Sequence, residues 1–139
     1  MTSPTTDLQP TPDDVGAESA ATAQARRRMG ASLLFMGVLH VVVPGPFLKI
    51  IPKGLGAPRF WNLLAAGAEA GAGALLLSSD PAKRRAGGWL ALATIVGVYP
   101  ANINMAVQAG APTNPKALAA WARLPLQFPM IRQAYRFTR

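Results

Sequence analysis

The sequence predicts an all-α protein: a membrane-embedded four-helix bundle preceded by a disordered N-terminal tail. Half of the 139 residues are hydrophobic and only 14% are charged, whereas an average soluble domain has about 25% charged residues. Four apolar segments follow one another along the chain. All 14 Lys and Arg residues lie from residue 26 onward, mostly at the ends of these segments. A bilayer places basic residues at the ends of spanning helices.

The chain divides into a tail, residues 1–25, and a single transmembrane domain, residues 26–139. The tail is rich in Thr, Pro, Ala, Asp and Ser and has no apolar period, so it cannot bury enough surface to become ordered. Arg26–Arg28 and the apolar run behind them resemble a signal peptide. A small-residue cleavage site is missing, however, and Pro44-Gly45-Pro46 ends the run, so that interpretation is disfavoured.

Four helices are predicted, at about residues 29–43, 60–77, 87–107 and 118–136. A spanning helix needs about 20 residues, and the second and third meet this requirement. The first is short by a turn unless the side chains of Arg26–Arg28 reach back to the interface. The fourth contains Pro125 and Pro129. Instead of spanning the membrane, it could form an amphipathic helix on the membrane surface. The apolar loop between the first two helices is expected to lie on the membrane or to re-enter it.

The basic residues predict the orientation. If the N-terminus is cytoplasmic and all four helices span, nine lie inside, namely Arg26, Arg27, Arg28, Lys83, Arg84, Arg85, Arg132, Arg136 and Arg139. Five then lie outside, namely Lys49, Lys53, Arg59, Lys116 and Arg123. Because cytoplasmic loops carry the excess of Lys and Arg, we expect a multi-pass protein of the bacterial inner membrane with both termini in the cytoplasm.

Small residues crowd the second helix, and Gly67 and Gly71 form a GxxxG pair. Small faces let helix backbones approach closely in lipid. Packing within the bundle is the favoured interpretation, and homo-oligomerisation is the alternative.

Polar residues within the apolar segments define a candidate intramembrane site: His40, Asn62, Glu69, Tyr99, Asn102, Arg123 and Gln127. At about 1.5 Å per residue, they fall at similar depths in the outer half of the membrane. Ionisable groups at membrane depth usually face the bundle interior or a cavity. Glu69 and Arg123 are the expected charge partners, since a lone charge in hydrocarbon is expensive. Two interpretations stay open: a structural pair that fixes helix packing, and a ligand or quinone pocket. His40 is more often a helix-contact residue than a ligand.

Several function classes are disfavoured by composition. Cysteine is absent, which excludes disulfides, thiol relays and cysteine-ligated metals. One histidine cannot build a multi-histidine metal site within one chain, and no metal is expected. The basic residues sit at the ends of apolar runs, so nucleic acid is not an expected partner. No complete catalytic site is evident, and we expect the isolated chain not to be catalytic.

The run Tyr99-Pro100-Ala101-Asn102-Ile103-Asn104-Met105-Ala106, followed by Ala122-Arg123-Leu124-Pro125-Leu126-Gln127, resembles the DoxX-like family of small bacterial membrane proteins. Gly37-x-x-His40 and Gly67-Ala68-Glu69 agree with it, and the resemblance covers about residues 28–137. It implies a four-helix membrane bundle. Some relatives are subunits of a quinone-linked thiosulfate-oxidising enzyme, and others are linked to membrane oxidoreductases. No agreed catalytic motif can be carried over to this chain.

Two functions follow as expectations. The first is an accessory or anchoring subunit of a membrane redox complex that contacts quinone through the polar site, with an oxidoreductase as its partner. The second is a non-enzymatic protein for lipid binding, assembly or small solutes, with the lipid bilayer or a second copy as its partner.

Overall fold

The computed structural model describes residues 18–139, and this part of the chain contains helices and no strand. The α-helices are α1 (Ala20–Val42), α2 (Pro44–Ile50), α3 (Pro58–Leu77), α4 (Pro81–Gly97), α5 (Tyr99–Ala109) and α6 (Pro115–Arg136). A 3₁₀ turn, Lys53–Leu55, joins α2 to α3. The predicted all-α class is confirmed.

Polar caps set the starts of three helices ahead of the apolar segments. The side chains of Ser19, Asp80 and Asn114 each accept a hydrogen bond from a backbone N–H in the first turn of α1, α4 and α6. Side-chain oxygens at this position satisfy N–H groups that have no partner within the helix. The predicted disordered tail is therefore wrong for residues 20–25, which are the first turns of α1. Residues 1–17 of that tail lie outside the described residues.

The third predicted helix, residues 87–107, is divided in two at Val98. Pro100 follows the break, and proline has no N–H with which to continue the helical hydrogen bonds. Together α4 and α5 still form an apolar stretch, Pro81–Ala109, of 29 residues.

Two stretches of the described chain are long and apolar enough to cross a membrane, namely α3 and Pro81–Ala109. A third exists if α1 and α2, which are bent by 94° at the break between them, count as one broken span. The helix α6 is not among them. It contains Pro125 and Pro129, and the fourth span stays a prediction.

Close backbone contacts hold α1 against α3. A Cβ added at Gly37 would lie 2.7 Å from the Ala66 carbonyl oxygen, and one added at Gly73 would lie 2.5 Å from the Gly30 carbonyl oxygen. The predicted packing through small residues therefore occurs, but not through the GxxxG pair as such. A Cβ at Gly67 would meet nothing within 4 Å.

The buried core lies at one end of the helices. Its side chains come from α1, α3, α4 and the C-terminal end of the chain: Met29, Leu33, Ala72, Leu76, Ala91, Ile95, Ala134 and Phe137. At this end α1 packs on α3, α3 on α4, and α4 on α6. At the opposite end, where α1 finishes and α3 begins, the helices leave a cleft between them.

Candidate functional site

The cleft has a volume of about 1070 Å³ and is lined by residues of all six α-helices. Most of its wall is aliphatic or aromatic. Its charged and amide-bearing lining residues are His40, Lys49, Asn62, Glu69, Asn102, Gln108, Lys116 and Arg123. Ligand pockets of about 300–1,000 Å³ are typically apolar with a few polar groups, so this cleft can hold a small lipophilic molecule.

His40 is fixed at the wall by Asn62 of α3. The Asn62 amide nitrogen donates to the His40 carbonyl oxygen at 2.9 Å, and Asn62 Oδ1 lies 2.8 Å from His40 Nδ1. A carbonyl can only accept, so the first bond sets the amide orientation and makes Nδ1 the donor in the second. Phe47 of α2 stacks on the imidazole with the ring centroids 3.8 Å apart. The ring is therefore held on its edge and on one face.

Glu69 is the acidic neighbour of His40. Its Oε2 lies 3.4 Å from His40 Nε2, and this oxygen is buried without a hydrogen bond. The two residues come from α1 and α3 and are 8% and 7% exposed. The structure thus places an imidazole and a carboxyl group side by side at the wall of a largely apolar cleft.

Arg123 lines the same cleft, but the predicted Glu69–Arg123 ion pair is wrong. Among the described residues Glu69 has only His40 as an ionic neighbour within 4.0 Å. The error has a geometric reason: His40 lies in the last turn of α1, which packs closely on α3, whereas α6 makes its main contacts with α4 and α5.

Asn102 is the third buried polar group of the cleft. It is 5% exposed and comes from α5, across the cleft from His40. Its amide makes no hydrogen bond to another side chain or backbone group within residues 18–139. Because Asn102 lines the cleft, its hydrogen-bonding capacity is available to whatever occupies the cleft.

Two predicted site residues lie elsewhere. Gln127 is buried, and its amide nitrogen donates to the Ile95 carbonyl oxygen at 2.9 Å, so it ties α6 to α4. Tyr99 packs edge-on against Phe128 with the ring centroids 6.3 Å apart and is not part of the cleft wall. Of the seven predicted residues, the structure brings His40, Asn62, Glu69, Asn102 and Arg123 to the cleft.

Sequence reasoning missed the part that α2 plays. The amides of Asn104 and Gln108 on α5 donate to the carbonyl oxygens of Ile50 and Lys49, at 2.8 and 3.0 Å. These bonds tie the segment that carries Phe47 and Lys49 to the far side of the cleft. The signal was present, since the apolar loop was expected to associate with the membrane, but nothing in its pattern showed which helix it would contact.

The other end of the molecule carries a polar cluster that the sequence did not reveal. Arg26 is buried; its guanidinium bonds Glu18 at 2.9 and 3.0 Å and also donates to the Leu76 carbonyl oxygen at the end of α3. Arg84 reaches Glu18 at 2.9 Å. The hydrogen bond from Arg26 holds the pKa of the Glu18 carboxyl below its usual value. We call Glu18, Arg26 and Arg84 the clasp, because they join α1, α3 and α4.

The fold and the cleft define an all-helical protein with helices long and apolar enough to span a membrane and a polar-ended cavity between them. The family model described as "Domain of unknown function (DUF8561)" matches residues 29–138, so the chain belongs to this family. The match includes every residue that lines the cleft and leaves out Glu18 and Arg26. No curated protein and no solved structure matches the chain.

Proposed function

We propose that the protein is an integral membrane protein that binds a lipophilic ligand of the quinone class in the cleft, as an accessory or anchoring subunit of a membrane redox complex. The observation that carries this proposal is the cleft itself. It is a largely apolar cavity of about 1070 Å³ whose wall includes the buried residues Glu69 and Asn102, and Glu69 Oε2 has no hydrogen-bond partner among the described residues.

Placement in a bilayer is supported by the outer surface. Large apolar side chains on the outside of the helices are more than half exposed, for example Phe35, Val42, Leu63, Leu126 and Phe128. Large exposed apolar patches mark interaction or membrane surfaces. Basic residues lie at both ends of the helices, Arg26 and Arg84 at the clasp end and Lys49 and Lys116 at the cleft end, as expected at the ends of spanning helices. Four spans with both termini in the cytoplasm are part of the proposal.

A quinone head fits the polar groups of the cleft. Its ring needs an apolar, partly aromatic wall, and its two carbonyl oxygens need hydrogen-bond donors. The wall includes Phe47 and Trp61, and the side chains of His40, Asn102 and Arg123 carry N–H groups. Within residues 18–139 no three His, Asp or Glu side chains come together as a metal site requires. The resemblance to the DoxX-like family at Tyr99–Ala106 and Ala122–Gln127 supports the same ligand class and the accessory role.

A second candidate is binding of an anionic lipid or fatty acid. It is favoured by the three cations that line the cleft, Lys49, Lys116 and Arg123, against a single acid, Glu69. Its acidic head would sit near the cations, whereas a quinone head would sit against His40 and Asn102.

Binding to the purified protein in lipid nanodiscs tests both candidates. The probes are a short-tail benzoquinone and a fatty acid of matched tail length. Binding is followed by quenching or shift of the Trp61 fluorescence in a background where the other two tryptophans, Trp89 and Trp121, are replaced by phenylalanine. Ala93→Phe should block the cleft, because Ala93 lines it. Val96→Phe is the matched control, because Val96 lies on the same helix, is 52% exposed and does not line the cleft.

We expect quinone binding that Ala93→Phe weakens about tenfold or more and that Val96→Phe leaves unchanged. Saturable binding of the fatty acid alone would establish the second candidate. Equal binding of the quinone to both variants would overturn the cleft as its site. Purification from native membranes in mild detergent, with mass spectrometry, then tests for an oxidoreductase partner.

A further inference from the structure

The hydrogen bonds of Asn62 restrict what the imidazole of His40 can do. Because Asn62 Oδ1 can only accept, His40 Nδ1 must carry a hydrogen. In the neutral ring the other nitrogen, Nε2, then has none and can only accept. Nε2 becomes a donor only when the ring takes a second proton, and the carboxyl group 3.4 Å from Nε2 is that of Glu69.

We propose that doubly protonated His40, neutralised by Glu69, is the hydrogen-bond donor on which binding depends, so that the ligand has a head that accepts a hydrogen bond and binds only while this pair holds its proton. The inference rests on the proposed function and deepens it. No bond of the ligand breaks: the proton stays on Nε2 and is shared with a carbonyl oxygen of the ligand. Asn62 is a positioning residue, because it acts on the ligand through His40.

The charge balance of the pair supports this arrangement. An imidazolium beside a carboxylate is neutral overall, and a neutral pair is far cheaper at membrane depth than a lone charge. Phe47 covers one face of the ring at 3.8 Å, and His40 lines the cleft.

The other charged groups that line the cleft are all cationic: Lys49 of α2, Lys116 and Arg123 of α6. The lining residues of α4 and α5 carry no titratable group. The three cations influence the pH at which the pair loses its proton. They do not change the direction of the effect, since loss of the proton always removes the donor.

The experiment is a pH titration of quinone binding to the full-length protein in nanodiscs. The probe is a fully substituted short-tail benzoquinone, because its oxidised form has no titratable group. For the wild type we expect binding to weaken as pH rises, approaching about tenfold per pH unit once the pair has lost its proton. Glu69→Gln removes the neutralising anion and should weaken binding about tenfold or more at the pH where the wild type binds best.

Asn62→Leu provides the opposite test. Without Asn62 the neutral ring can place its hydrogen on Nε2, so binding should persist at high pH and its pH dependence should flatten. Unfolding temperatures of both variants show whether they are folded, and if Asn62→Leu is not, the wild-type titration and Glu69→Gln still decide.

Wild-type binding with the same affinity at every pH would overturn the inference and leave the proposed function intact. A Glu69→Gln variant that binds as the wild type does would have the same meaning. A wild type that binds no quinone at any pH would overturn both.

Discussion

Replacing Gly73 with alanine tests the contact that joins α1 to α3. The new Cβ would lie 2.5 Å from the Gly30 carbonyl oxygen and 2.6 Å from the Leu34 nitrogen. Both are backbone atoms of α1, so no side chain can rotate away. To reach 3.4 Å, where ordinary contact begins, the helices must separate by about 0.9 Å. Overpacking of this kind costs about 1–3 kcal/mol, and the better helix propensity of alanine returns about 0.5–1 kcal/mol.

We therefore expect Gly73→Ala to lower the free energy of unfolding by up to about 2.5 kcal/mol. Gly67→Ala is the matched control, because it lies in the same helix with nothing within 4 Å of the added Cβ. It should be neutral or gain up to about 1 kcal/mol. Thermal unfolding in mild detergent, followed by circular dichroism, measures both. If Gly73→Ala is as stable as Gly67→Ala, the close approach of α1 and α3 is not the contact that holds them together.

Further predictions concern the clasp and the membrane topology. Arg26→Gln should destabilise the protein by about 1–3 kcal/mol, because it removes charge-assisted bonds from a buried guanidinium; the exposed neighbour Arg27→Gln should not. The pKa of the Glu18 carboxyl is lowered, so its contribution to stability is present above the usual carboxyl pKa and is lost as pH falls through the lowered value. A Glu18→Gln variant should lack this part of the dependence of unfolding free energy on pH. Deletion of residues 2–24 should lower the unfolding temperature, because it removes Glu18 and the Ser19 cap, and an unchanged temperature would contradict the clasp. Reporter fusions after Arg28, Arg84 and Arg139 should give cytoplasmic signals, and fusions after Ala57 and Ala111 should give periplasmic signals. A periplasmic signal after Arg139 would show that α6 does not span.

The all-α class could be predicted from the length and apolar character of the segments, since a spanning helix needs about 20 apolar residues. Five of the cleft residues could be predicted for a second physical reason. A polar side chain within an apolar helix must find a partner or a cavity. That rule selects His40, Asn62, Glu69, Asn102 and Arg123 without any knowledge of how the helices pack.

The pairing of those residues could not be predicted, because it depends on which helices are neighbours. Gln127 obeys the same rule but donates to the Ile95 carbonyl oxygen. It does so although Arg123, four residues before it in α6, lines the cleft. The sequence places all three arginines of Arg26–Arg28 at the membrane interface. The bond from Arg26 to the Leu76 carbonyl oxygen, near the end of α3, shows that this one of the three is buried.

The bond from Asn62 to the His40 carbonyl oxygen has a consequence for how the family can vary. In a continuing helix that carbonyl would accept from the N–H of residue 44, but residue 44 is proline and has none. Asn62 therefore replaces a backbone donor that Pro44 removes, and with the same amide it fixes the ring of His40. We therefore expect positions 40, 44 and 62 to vary together among family members. A member that lacks the proline needs the asparagine only for the histidine ring, so we expect the asparagine and the histidine to be lost together there.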